Sequence, residues 1–241
     1  MDGYRRELKF IISDALMLDI RNRIGTIMKP DEHQSRDHYR VRSIYFDNPS
    51  HTCIRENLAG VSTREKYRIR TYDCDSRTII AEIKIRHRST VSKMSTPIDT
   101  ALFDALISGD RENAAGVLRS RIDESGAAGS GKSCRVLEKY LVRIASEAYS
   151  PSVMVDYERS AYVYPAGNVR ITFDRNVFGS QEYSRMFDNA LTGRPALDHG
   201  LHILEIKYDE FLPDEIKAVL GGMQLEASSS SKYAACALRF I

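Results

Sequence analysis

Apolar and polar positions alternate with a period of two along seven long stretches of the chain, the pattern of strands that turn one face to a core. They are 4–13 (YRRELKFIIS), 39–47 (YRVRSIYFD), 64–72 (REKYRIRTY), 79–88 (IIAEIKIRHR), 153–164 (VMVDYERSAYVY), 168–175 (NVRITFDR) and 202–209 (HILEIKYD). Weaker alternation at 91–95 and near 177–184 predicts shorter pieces. Spacing of three to four puts Leu16, Ile20, Ile24 and Ile27 on one side of a helix over 14–28. Helices are also predicted over 99–107, 134–148 and 213–220, the last with Pro213 in its first turn. The closing SSSSKYAACALRFI predicts a serine-capped final helix. Strand runs with occasional helices and no regular βαβα rhythm argue against a doubly wound parallel sheet. They predict an α+β fold in which one antiparallel sheet curls or closes into a barrel. The helix-rich stretch 99–148 reads as an insertion or packing arm with a flexible linker at 125–133, inside a single domain spanning 1–241.

Composition sets outer limits. With 42% hydrophobic and 28% charged residues, a 241-residue chain can bury a sizeable core and is not wholesale disordered. Lys and Arg number 35 and Asp and Glu 33, a net of +2 that argues against a generic basic nucleic-acid binder. No apolar run approaches the roughly 18 residues of a membrane span, and MDGYRRELKF lacks a signal-peptide core. Cys53, Cys74, Cys134 and Cys236 lie far apart without CxxC spacing, so neither a zinc knuckle nor a disulfide framework is suggested. The expectation is a soluble, cytoplasmic protein.

The polar faces change that picture. Lys66, Arg68 and Arg70 share one side of their strand, and Glu82, Lys84 and Arg86 share one side of the next. Glu205 with Lys207, Arg5 with Glu7 and Lys9, and Arg170 with Thr172 and Asp174 repeat the arrangement. A single such face is an ordinary solvated one. Five together predict charged faces that converge on one concavity, with helices covering the apolar faces outside. A concavity rich in Lys and Arg with a few carboxylates favours a polyanion with a divalent cation, because phosphate oxygens accept paired Arg hydrogen bonds and a carboxylate anchors the metal.

In chain order, R-x-E-x-K, S-I-Y-F-D, K-Y-R-I-R, E-I-K-I-R-H, Y-E-R-S-A-Y, R-I-T-F-D, L-E-I-K-Y and a late S-K-Y resemble the VTC-type polyphosphate polymerase domain. That domain belongs to the triphosphate tunnel metalloenzymes, the CYTH-like superfamily, and the resemblance spans roughly residues 4 to 235. It implies a closed antiparallel eight-stranded β-barrel, a tunnel that binds ATP, polyphosphate or tripolyphosphate through basic side chains. The implied catalytic residues are Arg68, Arg70, Lys84, Arg159 and Arg170, with Lys9, Lys93, Lys207, Ser231 and Lys232 binding substrate. Glu205 is the implied ligand of Mn2+ or Mg2+, with Glu7 and Asp174 as weaker candidates. Arg5 stands where the superfamily's hydrolases commonly carry the first acid of E-x-E-x-K, a departure that resembles the polymerase branch. The implied activity is transfer of the terminal phosphate of ATP to a polyphosphate chain. Hydrolysis of triphosphates and a non-catalytic polyphosphate-binding module are the alternatives.

Rival motifs are weaker. Residues 126–133 (GAAGSGKS) spell a P-loop, and VMVD at 153–156 could pose as its partner strand. The preceding VLRSRIDES reads as a helix end, however, whereas a P-loop follows a buried strand, so the stretch reads as a linker. His33, His38, His51 and His87 show no metal spacing, and Tyr67, Tyr72, Tyr157 and Tyr208 read as barrel packing. Carboxylates interleaved at Glu7, Glu82 and Glu205 make an open nucleic-acid surface unattractive, so no nucleic-acid partner is expected.

Overall fold

Strands with one apolar and one charged face gain most when the apolar face is covered by helices, and that is how this chain folds. The computed structural model describes residues 6–32, 34, 36–88, 90–127, 131–223, 225 and 231–241. The expectations for Tyr4 and Arg5, for His33, for 128–130 of the glycine-rich stretch and for the side chain of Lys132 lie outside the described residues. The strands are β1 (Arg6–Ser13), β2 (Lys29–Pro30), β3 (Tyr39–Asp47), β4 (Thr63–Tyr72), β5 (Ile80–His87), β6 (Thr90–Pro97), β7 (Ser150–Tyr164), β8 (Val169–Ser180), β9 (Arg194–Pro195) and β10 (Leu201–Tyr208). The helices are α1 (Asp14–Ile24), α2 (Thr52–Leu58), α3 (Thr100–Ile107), α4 (Arg111–Ala127), α5 (Gly131–Glu147), α6 (Asp214–Leu220) and α7 (Lys232–Ala237).

All pairings are antiparallel, in the order β1-β10-β8-β7-β3-β4-β5-β6, with β2 added to β7 and β9 to β8. The α+β expectation holds, but closure by hydrogen bonds does not. Among the described residues the edge strands β1 and β6 share no backbone pairing. The sheet curls until Glu7 of β1 reaches Lys84 of β5 at 3.5 Å. That contact is made by charged side chains, with no backbone ladder joining β1 to β6 among the described residues.

Outside the curl, two apolar clusters hold the helices. Phe46, Tyr67, Ile69 and Ile83 pack with Phe103, Leu118, Val136 and Tyr140 of α3–α5. Phe10, Ile12, Phe173, Leu204 and Ile206 pack with Met17, Ile20 and Ile24 of α1 and Ile216 of α6. Ser13 starts α1 by accepting from the Leu16 N–H at 3.3 Å, and Asp99 starts α3 by accepting from Leu102 at 2.8 Å. Helix α5 grips the back of β4: Lys139 pairs with Glu65 at 2.6 Å, and the Tyr140 hydroxyl donates to the Arg68 carbonyl at 2.7 Å. The helical arm therefore fixes the backbone beneath Arg68.

Several expectations shift. The helix predicted over 14–28 ends at Ile24, where Gly25 caps it. Pro213 precedes α6 instead of opening its first turn. Ser231 stands at the cap position of α7 but makes no capping hydrogen bond. The two pieces at 168–175 and 177–184 fuse through Ser180 into β8, and 91–95 grows into β6. Helix α2 was not signalled, since it buries only Cys53 and Ile54; of α4 only the end at 117–125 was read, and its start was not, with Gly116 in its middle. Helices also reach into both ends of the proposed linker, to Ala127 and from Gly131. Among the described residues no helix is long and apolar enough to cross a membrane.

Candidate functional site

Strand parity carries the charged faces to the inside of the curl. A chamber of about 120 Å³ is lined by eight cationic side chains and two carboxylates, Glu7 and Glu205. It continues into a vestibule of about 450 Å³, and Glu7, Lys9, Lys66, Lys84 and Ser231 line both spaces. Two further acids, Glu82 and Asp174, are buried among the chamber's cations.

Each acid gathers cations from neighbouring strands. Register sets Glu82 of β5 opposite Arg68 of β4, whose guanidinium reaches the Glu82 carboxylate at 2.6 Å. Lys93 of β6 joins it at 3.0 Å and Arg70 at 3.7 Å. Burial works against the Glu82 charge, but Arg68, Arg70 and Lys93 outweigh it and hold the carboxyl down at about 2. Asp174 of β8 takes Arg159 of β7 at 2.6 Å and Lys232 of α7 at 2.5 Å. Glu205 of β10 pairs with Lys207 at 2.8 Å, with Arg159 and Lys232 at 3.7 and 3.8 Å, and is held well below the usual range despite burial. Glu7 collects Lys9 at 2.6 Å, Lys84 at 3.5 Å and Lys207 at 3.7 Å.

Two lysines carry the strain of crowding. Burial, followed by Lys9 and Lys84, pushes Lys66 down to about 7. Burial also lowers Lys84 to about 8, although Glu7 acts the other way. Aromatic rings complete the walls. Tyr233 stacks on Tyr45 with ring centres 4.7 Å apart, and the Tyr45 hydroxyl accepts from Arg68 at 3.0 Å. Burial opposes ionisation of that phenol, but Arg68 and Arg70 hold it below its ordinary value.

The structure thus brings together Lys9, Arg68, Arg70, Lys84, Arg159, Lys207, Ser231, Lys232 and Glu205. Lys93 stands outside the chamber lining and touches it through Glu82. Arg170 is diverted: it pairs with Asp31 at 2.9 Å and donates to the Tyr39 hydroxyl at 3.1 Å. Tyr67 and Tyr208 are packing residues, but Tyr157 lines the chamber, with Arg159 and Lys232 each 5.1 Å from its ring centre. Parity places Lys66 inside without assigning it a part; Tyr45 and Tyr233 were missed altogether. Asp156, at the end of VMVD, is buried against Arg42 at 2.5 Å, and the glycine-rich stretch follows helix α4, so neither fits a P-loop.

The donors fit a divalent cation in one way. Among the described residues no group of three or more His, Cys, Asp or Glu side chains forms a cage. Glu205 and Glu7 lie on paired strands, two residues apart in register. One or two carboxylates completed by phosphate oxygens is how Mg2+ commonly binds.

The sequence matches the VTC domain over residues 4–241. The chain belongs to the VTC domain family. Its fold is similar to that of a Vibrio parahaemolyticus protein whose description proposes adenylate cyclase activity, at 11% identity, TM-score 0.50 and 98% coverage of both chains. The PH1012 protein of Pyrococcus horikoshii OT3 aligns at 12% identity and TM-score 0.48, covering 96% of this chain and 99% of its own. No curated protein matches this VTC domain.

Proposed function

We propose that this VTC domain protein is a metal-dependent polyphosphate polymerase that transfers the terminal phosphate of ATP to a polyphosphate chain. The observation that carries the reading is the chamber itself, where eight cations from five strands and α7 converge on one small space. Phosphoryl transfer needs positioning and charge stabilisation more than covalent help. Arg68, Arg70, Arg159 and Lys232 spread charge on the phosphates, and Lys9, Lys84 and Lys207 extend the cationic track. The acceptor is a terminal phosphate, already anionic, so no strong general base is required. Glu205, with Glu7 beside it, would hold Mn2+ or Mg2+, which would supply positive charge to offset that of the phosphates.

The vestibule that admits a polyphosphate end also admits water, which favours triphosphate hydrolysis as the second reading. Incubating the purified protein with ATP and Mn2+ or Mg2+, then resolving polyphosphate and free phosphate separately, decides the matter. Chain growth supports polymerisation, and phosphate alone supports hydrolysis. Tight polyphosphate binding with neither product overturns the enzyme reading.

A further inference from the structure

The Lys66 Nζ donates to the Ser231 Oγ at 3.0 Å, a contact between residues 165 positions apart in the chain. Ser231 precedes α7 yet does not cap it, so its hydroxyl is committed to the lysine. Both side chains lie on the wall shared by chamber and vestibule. Among the described residues no carboxylate comes within ion-pair distance of Lys66, unlike Arg68, Arg159, Lys84 and Lys232. We propose that Ser231 is itself a phosphoryl acceptor: the protein transfers the terminal phosphate of a nucleoside triphosphate to the Ser231 hydroxyl, with Lys66 taking its proton. This rests on the reading that the chamber binds nucleoside triphosphate.

A hydroxyl is a poor nucleophile unless a base lies within hydrogen-bond reach, and serine–lysine pairs meet that need where the lysine can be neutral. Burial and the cations Lys9, Lys84, Arg64 and Arg68 hold Lys66 at about 7. A bound triphosphate raises it, so the unprotonated amine is the minority form at neutral pH and labelling should quicken as the pH rises. In the unprotonated form the contact reverses and the hydroxyl donates to the amine lone pair. The Ser231 oxygen then bonds to the γ-phosphorus as the bond from that phosphorus to the β–γ bridging oxygen breaks. The nucleoside diphosphate leaves with the electron pair, and the hydroxyl proton moves to Nζ. The new phosphoserine sits beside an ammonium, and no oxidant or reductant is involved.

The test incubates the full chain with ATP and Mn2+, quenches in acid, where a phosphoserine monoester survives, and reads intact mass and peptide maps. One added phosphoryl group, located at Ser231 and absent from Ser231→Ala, is expected. Lys66→Met should slow labelling roughly 10²-fold, in the range of a lost general base. Lys66→Arg should be as slow, because a guanidinium keeps the charge but accepts no proton. Retained polyphosphate binding by Lys66→Arg shows that the variant is folded. Consumption of ATP with unmodified Ser231 overturns this proposal alone, as does labelling that persists in Ser231→Ala. Labelling of Lys66→Arg at the wild-type rate removes the base. ATP neither consumed nor transferred overturns the polymerase reading and this proposal together.

Discussion

Arg159 and Asp174 meet fork to fork, Nε on Oδ1 at 2.6 Å and Nη2 on Oδ2 at 2.8 Å, from directly paired positions on β7 and β8. Lys232 reaches the same fully buried carboxylate from α7. A metal ion drawing Asp174 away would leave two buried cations uncompensated. Asp174 is therefore a strut that holds Arg159 and Lys232 in place, which argues against its serving as a metal ligand.

Asp174→Asn should cost about 3–5 kcal/mol, the penalty for stranding buried charges. For a chain of this length the melting temperature should fall on the order of 10 °C. Added polyphosphate should recover part of the loss by supplying the missing anion. A thermal melt unchanged from wild type would count against the strut.

Arg68→Ala should lower turnover roughly 10²–10³-fold, the effect of removing one preorganised donor. The Tyr140 bond goes to the main-chain carbonyl of residue 68 and survives the substitution. Circular dichroism should therefore stay native while kcat falls. Activity within twofold of wild type would remove Arg68 from the site.

Arg170→Ala should change kcat/KM by less than about tenfold, since its guanidinium serves Asp31 and Tyr39. Steady-state kinetics distinguishes this from the loss expected at Arg68. A comparable loss would return Arg170 to the phosphate-binding set.

Polyphosphate binding should take up protons at pH 8. Lys66, pushed down to about 7 by burial and its cationic neighbours, is mostly neutral at that pH, and a bound polyanion would favour its charged form and raise its pKa. At pH 6 Lys66 is already charged and contributes no uptake. Titration calorimetry at pH 8 in buffers of different ionisation enthalpy reads the proton count directly. Release in place of uptake would contradict the crowded-lysine account.

Lys132→Ala should leave nucleotide binding and turnover intact, because the GAAGSGKS stretch joins two helices and no strand leads into it. A loss of turnover with native circular dichroism would reinstate the P-loop.

Parity made the chamber's lining legible because Lys66, Arg68 and Arg70 alternate cleanly with Tyr67 and Ile69, and the same holds for Glu205 and Lys207 against Ile206. Partners were not legible. Glu82 meets Arg68 only through the β4–β5 register, and Lys66 meets Ser231 only once the C-terminal helix docks. Tyr45 sits in a run of buried residues where polar and apolar faces look alike, so alternation could not mark it as inward. Closure also escaped, because whether β1 and β6 pair depends on the cumulative curl of the sheet and on no local residue pattern.

Among Glu82, Asp174, Glu205 and Glu7, each acid holds at least two cations. On the proposed reading an arriving phosphate chain would trade places with carboxylates, and the chamber would work as an ion-exchange resin folded from a single polypeptide. Such a resin discriminates by charge density along the ligand. A lone phosphate displaces one partner and gains little, whereas each added unit of a chain displaces another from a lattice already loosened, so affinity should climb steeply with length.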